Sequence, residues 1–207
     1  IYNADTYGYL YNWYAVETGN LAPEGWHVPS DYEIKELEMY LGMSQEEADE
    51  EGNSRGTNEG SKLAGMDDLW IDGALQDDGD FEASGFNLLP AGYRTIYGDY
   101  PNMDGGVYIG DSGYLWSTTE NNGDHAFYRF LHYNSSKVNR VHDSRLAGLS
   151  IRCLSDEIQT TTILVPENFA TIQEAIDYSI DGDTILVSAG TYVENINFIG
   201  KNIALIG

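Results

Sequence analysis

Apolar residues recur along the chain at two different periods, and the change of period marks its organisation. Between Ser30 and Gly42, the residues Ile34, Leu37 and Leu41 fall on one face at helical spacing. Ser30 and Glu33 have capping-box spacing, and Asp31 stands in the first turn, where the helix dipole favours a carboxylate. Gly42 supplies the stop. Ser44 and Glu47 repeat the pattern and predict a short acidic helix ending at Gly52, followed by a loop over 52–60. Upstream, the Tyr-rich run from Tyr7 to Val16 predicts a strand entering a core. From 63 to 152 no helical period persists. Short apolar pieces (86–90, 92–94, 114–116, 126–131, 149–154) alternate with Gly, Asn and Asp. They predict short strands joined by long loops, the kind of segment that carries function on a rigid frame.

The pattern changes again near 155–162, where a polar stretch precedes Ile163-Leu164-Val165. Residues 1–155 are therefore read as one domain, 156–162 as a linker and 163–207 as a second unit. In the second unit Thr171 and Glu174 form another capping box, and Ile172, Ala175, Ile176 and Ile180 mark the buried face of its helix. Short β-branched pieces follow: 184–187, 191–193, 196–198 and 203–206. One helix followed by such pieces, with tight turns between them, predicts the opening coils of a β-solenoid. Such a fold needs several stacked repeats, and the chain starts with Ile1, so it is read as a piece of a longer polypeptide.

Composition narrows the partners. The chain has 207 residues, 42% of them hydrophobic, which suits folded rather than disordered material. No apolar run is long enough to cross a membrane as a helix. Ten Lys and Arg against 34 Asp and Glu give a formal charge of −24, which argues against nucleic acid and anionic membranes as partners. The charge is uneven. Residues 17–82 hold nineteen acids and three bases, whereas 125–152 hold five bases and one acid. The basic strip either pairs with the acidic part of its own fold or faces a ligand. The one cysteine, Cys153, excludes an internal disulfide and a Cys-rich zinc site, and is expected to be buried.

Five ordered motifs carry a resemblance. They are the run from Leu21 through Trp26-His27-Val28-Pro29 to Asp31, then Gly60-Ser61-Lys62-Leu63, Leu89 to Arg94, Leu115 to Glu120, and Ser150-Ile151-Arg152-Cys153. From about residue 7 to 155 the chain resembles the Fibrobacter succinogenes major paralogous domain, a family of bacterial surface and secreted modules. The position of Ile34 is usually Trp in that family, and its N-terminal portion is missing here. The family looks related to the formylglycine-generating-enzyme type of C-type-lectin fold. That resemblance implies an α+β domain with short strands, one or two helices and a ligand face built on long loops. It does not bring the oxidase activity, whose copper site needs two cysteines. Residues 163–207, through Val165-Pro166, Ala170 to Ile176, Asp181 to Val187 and Gly190-Thr191-Tyr192, look like the capping helix and first coils of pectate-lyase-like right-handed parallel β-helices.

Two sets of residues carry candidate chemistry. Asp77, Asp78, Asp80 and Glu82 offer four carboxylates around Gly79, which suits Ca2+ as well as it suits a solvated acidic loop. Asp99, Asp104 and Asp111 form a weaker second set. The region 120–148 interleaves aromatic, His, Asn and Arg side chains, a composition that gives amphipathic contact area and adaptable hydrogen bonds. From this region and its flank the expected ligand set is Trp116, Tyr128, Arg129, His132, Tyr133, Asn134, Asn139, Arg140, His142 and Asp143. No nucleophile elbow, phosphate loop or paired-His zinc spacing is present, so no catalytic residue is expected. The sum is a non-catalytic module at the extracellular or outer-membrane surface of a bacterium, binding a glycan or protein ligand, with calcium the one cofactor in question. Alternatives are a repeat of a surface fibre that contacts copies of itself, and the targeting module of a polysaccharide-degrading β-helix enzyme.

Overall fold

The computed structural model describes residues 4–99, 102–103, 106–107, 109–156 and 160–207. Asp104 of the weaker acidic set and residues 157–159 of the linker lie outside the described residues. The protein is a mixed α/β structure with few helices and several small sheets, none closed. It divides into two compact units, Ile1–Leu154 and Ser155–Gly207.

In the first unit the elements run α1 (Ala4–Tyr7), β1 (Tyr11–Asn12), α2 (Trp13–Glu17), β2 (Trp26–His27), α3 (Asp31–Tyr40), α4 (Gln45–Asp49), β3 (Gly52–Arg55) and α5 (Glu59–Leu63). Then come β4 (Asn102–Met103), β5 (Gly106–Val107), β6 (Ser112–Asn122), β7 (His125–His132), β8 (Ser135–Ser144), β9 (Gly148–Leu149) and β10 (Leu154–Ser155). Both capping boxes form as the spacing predicts, at Ser30/Glu33 and Ser44/Glu47. Of the expected strand over 7–16 only Tyr11–Asn12 is strand, and helix α2 follows from Trp13. Asn12 caps α2 by accepting from the Ala15 N–H, and Trp13 and Val16, one turn apart, bury the same face. The expected loop over 52–60 contains β3, which pairs antiparallel with β8, and opens α5.

The largest sheet has the order β3-β8-β7-β6. Its three long strands form an antiparallel meander, with Tyr114 opposite Phe130, Trp116 opposite Tyr128 and Arg129 opposite Arg140. The expectation of short strands and long loops fails over 112–144, because tight turns join strands of eight to eleven residues. Side chains alternate between two faces. One face joins Leu115, Leu131 and Val138 to the core with Ile34, Leu63, Trp70 and Leu75. The other joins Trp116 and Ala126 to Trp13, Val16 and Leu149. Helix α5 packs against β8 so closely that a Cβ at Gly60 would lie 2.5 Å from the Lys137 carbonyl oxygen and 2.7 Å from that of Ser136. Backbone cannot yield as a side chain can. Gly60→Ala should therefore cost about 1–3 kcal/mol, and denaturant unfolding should show the loss in the midpoint with little change in slope.

In the second unit β11 (Thr162–Val165), α6 (Ile172–Tyr178), β12 (Thr184–Val187) and β13 (Ala204–Ile206) make a parallel sheet of order β11-β12-β13 with one helix. Ile163, Val165, Ala175, Ile176 and Ile185 form its core. Ile180 lies beyond α6 and is exposed, and the pieces at 191–193 and 196–198 are not strands. That segment instead serves the helix. Glu194 accepts from the Ile172 and Gln173 N–H groups at 3.0 and 2.9 Å, and Lys201 Nζ donates to the carbonyls of Ile176 and Asp177 at 2.8 and 2.7 Å. Acid at the N-terminus and base at the C-terminus both satisfy orphan backbone groups and oppose the helix dipole.

Candidate functional site

The sheet separates the expected ligand residues into four places. Trp116, Arg129, Asn139 and Arg140 are interior. Trp116 donates its indole N–H to the Tyr11 carbonyl at 2.9 Å. Asn139 accepts from the Ser54 N–H at 2.8 Å and donates to the Phe130 carbonyl at 3.0 Å, fastening β3 to β8 and β8 to β7. His132, Tyr133 and Asn134 sit at the β7–β8 turn, where the His132 and Tyr133 rings lie 4.6 Å apart. His142 is near the other end of β8, 3.0 Å from Glu51 and edge-on to His125 at 5.4 Å. A strand rises about 3.3 Å per residue, so that turn and His142 are roughly 20 Å apart and cannot grip one small ligand. Tyr128 and Asp143 are the pair brought together, on one face of adjacent strands.

The basic strip does pair with acids. Arg129 donates through Nη1 to Asp31 at 2.6 Å and through Nε to Glu38 at 2.7 Å. Arg55 reaches Glu38 at 2.7 Å, and Arg140 reaches Asp31 at 2.8 Å. Three guanidinium groups and two carboxylates thus tie α3 to β3, β7 and β8 inside the protein. Burial works against ionisation of Asp31, but hydrogen bonds from Arg140 and the nearby charge of Arg129 outweigh it and hold its carboxyl below the usual range. Burial likewise lowers Arg55, against the pairing with Glu38. The group is a strut, with no open side for a ligand.

The acidic loop is also engaged with its own fold. Asn58 donates to Asp78 at 3.1 Å and to Asp80 at 3.0 Å, Lys62 lies 3.8 Å from Asp80, and the Met66 N–H donates to Glu82. Among the described residues, no group of three or more His, Cys, Asp or Glu side chains is arranged to hold a metal ion. No helix there is long and apolar enough to cross a membrane. Cys153 is half-buried, and burial pushes its thiol up, away from the reactive thiolate. It lines an apolar cavity of about 270 Å³ with Ile34, Leu37 and Phe86.

The residues that do assemble are aromatic. Tyr93, Tyr114, Phe130 and Tyr128 form a half-buried strip on the sheet face opposite the strut. Tyr114 stacks on Phe130 with ring centroids 5.5 Å apart, Tyr93 lies 5.1 Å from Tyr114, and Tyr128 lies 6.2 Å from Phe130. Burial pushes both the Tyr114 and Tyr128 phenols well above their ordinary pKa, and Asp143 adds to the effect at Tyr128. Both hydroxyls therefore stay protonated at neutral pH. The strip supplies ring faces, phenol O–H groups and one exposed carboxylate at its edge. Tyr93, Tyr114 and Phe130 were outside the expected set. Period-two alternation of Tyr114, Trp116 and, on the next strand, Tyr128 and Phe130 could have signalled the shared face. Nothing local signals Tyr93, which arrives from a distant loop.

The family model described as Fibrobacter succinogenes major domain matches residues 2–155. The chain belongs to that family. No curated protein and no solved structure matches it. The matched region covers the first unit and includes every member of the strut and of the aromatic strip.

Proposed function

We propose that the first unit is a non-catalytic binding module of a bacterial surface or secreted protein, and that it takes a glycan on the strip Tyr93–Tyr114–Phe130–Tyr128. The carrying observation is the row of ring faces on a rigid sheet with Asp143 beside it. Aromatic faces pack on the C–H faces of sugar rings, while phenols and a carboxylate take the sugar hydroxyls. The formal charge of −24 suits a surface-exposed, soluble protein and disfavours phosphate-bearing partners. A C-type-lectin-like relationship for this unit, and an opening β-helix coil for the second, are part of the same reading. The parallel pairing of β11, β12 and β13 supports the latter.

A glycan array with the 207-residue protein, run in Ca2+ and again in EDTA, tests it. Selective binding is expected. Asp143→Asn, an exposed change, should weaken it several-fold, and Tyr128→Ala should weaken it about tenfold or more, checked by near-UV circular dichroism for retained folding. Loss in EDTA would add a metal to the site. A blank array in both buffers, or affinity untouched by both variants, would overturn the proposal.

A further inference from the structure

Three rings of the first unit are covered by an arginine of the chain itself. The Arg140 guanidinium lies 4.3 Å from the centre of Phe127, that of Arg145 4.4 Å from Trp13 and that of Arg152 5.6 Å from Phe86. The aromatic strip is different. Among the described residues, no lysine or arginine lies over Tyr114, Tyr128 or Phe130. The neighbouring bases are engaged elsewhere. Arg129 and Arg140 alternate onto the opposite face and pair with Asp31 and Glu38, and Arg94 donates its Nε to the Gly98 carbonyl at 3.2 Å. Acids, by contrast, stand at both ends of the strip. Strand register runs it from the Tyr114–Phe130 pair to Tyr128, and Asp143, opposite Ala126, is one same-face step further. Asp111 precedes β6 at the other end. Burial does most to raise the Tyr114 and Tyr128 phenols, and the charges of Asp111 and Asp143, respectively, add to it, so both acids act on the strip. Asp143 is exposed and accepts from the Ser144 N–H at 2.6 Å, and among the described residues no lysine, arginine or histidine pairs with it. An unpaired carboxylate beside ring faces attracts a cation twice, by direct pairing and through the ring quadrupole.

We infer that the glycan taken by this strip carries free amines: an amino sugar whose ammonium group packs against the rings of Tyr114 and Tyr128 and pairs with Asp143. The inference rests on the reading of the strip as a glycan site and goes further by selecting among glycans. A neutral sugar leaves the carboxylate without a counter-ion. A sulfated or uronic glycan meets repulsion from Asp143, from Asp111 and from the formal charge of −24. An amino sugar uses both parts of the site at once. The centres of Tyr114 and Tyr128 are 6.0 Å apart, so the C–H face of a sugar can cover one ring while its ammonium reaches the next ring or the carboxylate.

Calorimetric titration of the 207-residue protein with a glucosamine oligosaccharide, and with its N-acetylated counterpart of equal length, tests it at mildly acidic pH, where the amines are protonated. The two ligands share their rings and differ in charge. The free-amine form should bind about tenfold more tightly, and added salt should shrink that advantage. Asp143→Asn should remove most of it. Glu46→Gln should leave it intact, because Glu46 is an exposed carboxylate on α4, which packs through Ala48 on the other face of the sheet. Oligolysine of matched charge, which has no sugar rings, should bind more weakly than the amino sugar. Equal affinity for the two oligosaccharides would overturn the inference and leave the glycan reading standing. Binding of neither would overturn the inference, and the glycan reading would fall with it only if the array were blank as well. An advantage that survives Asp143→Asn would overturn it too. So would oligolysine binding as tightly as the amino sugar, or equal losses from Glu46→Gln and Asp143→Asn, since either would mean attraction to the charge of the whole protein.

Discussion

Replacing Glu38 by Ala is expected to cost the first unit about 3–5 kcal/mol, the range for breaking a buried ion pair by removing one partner. Glu38 is fully buried and accepts from both Arg55 and Arg129. Without it three guanidinium groups remain in the interior with Asp31 as the one carboxylate of the strut. The cost is that of stranded charge rather than the worth of the contact in the native protein. At roughly 2–4 °C per kcal/mol for a unit of this size, the melting temperature should fall by about 6–20 °C. Glu38→Gln should do nearly as much harm, because it keeps the shape and removes the charge. A change of no more than a degree or two in both variants would show that the strut is loose or hydrated in solution. Asp31 adds a pH signature. Its folded-state pKa lies below the unfolded value, so its contribution is full above the unfolded pKa of about 4 and is lost as the pH falls through the folded value.

The second large effect is expected at Asp183. This buried carboxylate accepts from the Thr161 N–H at 2.7 Å, the Thr161 hydroxyl at 3.2 Å and the Ile180 N–H at 2.9 Å. It thereby joins the entry of β11 to the turn before β12. Asp183→Ala would leave two backbone donors without partners, at about 1–3 kcal/mol each. A unit as small as Ser155–Gly207 has little stability to spare. Hydrogen exchange should show the amides of 162–187 losing protection while those of 4–154 keep theirs. Unchanged protection in the second unit would mean that water replaces the carboxylate. Burial opposes ionisation of Asp183, but the Ile180 and Thr161 hydrogen bonds and the Lys201 charge outweigh it, so its pKa is lowered. The unit should therefore lose stability only below the ordinary carboxylate range, as the pH falls through that lower value.

Helix starts were legible because a cap is a local device. Ser30, Ser44 and Thr171 each need only a Glu three residues on, and each makes its capping box. The boundary near 155 was legible because composition changes there. What lay in 1–16, 52–60 and 112–144 was not. Strand β3 exists through its pairing with β8, more than eighty residues away, and α2 through the burial of Trp13 and Val16 against partners brought by other segments.

The candidate site divides in the same way. Sequence alone determined that an acidic region and a basic strip share one unit, that aromatic, His, Asn and Arg residues interleave over 120–148, and that the chain carries a single cysteine. Tertiary structure decided which of those residues meet. It turned Arg129 and Arg140 inward onto Asp31 and Glu38, so residues with the composition of a binding surface became a strut. It set Tyr114 against Phe130 and brought Tyr93 beside them. The physical reason is the two-residue period of a strand. Neighbours in sequence go to opposite faces, and strand register determines which distant side chains share a face.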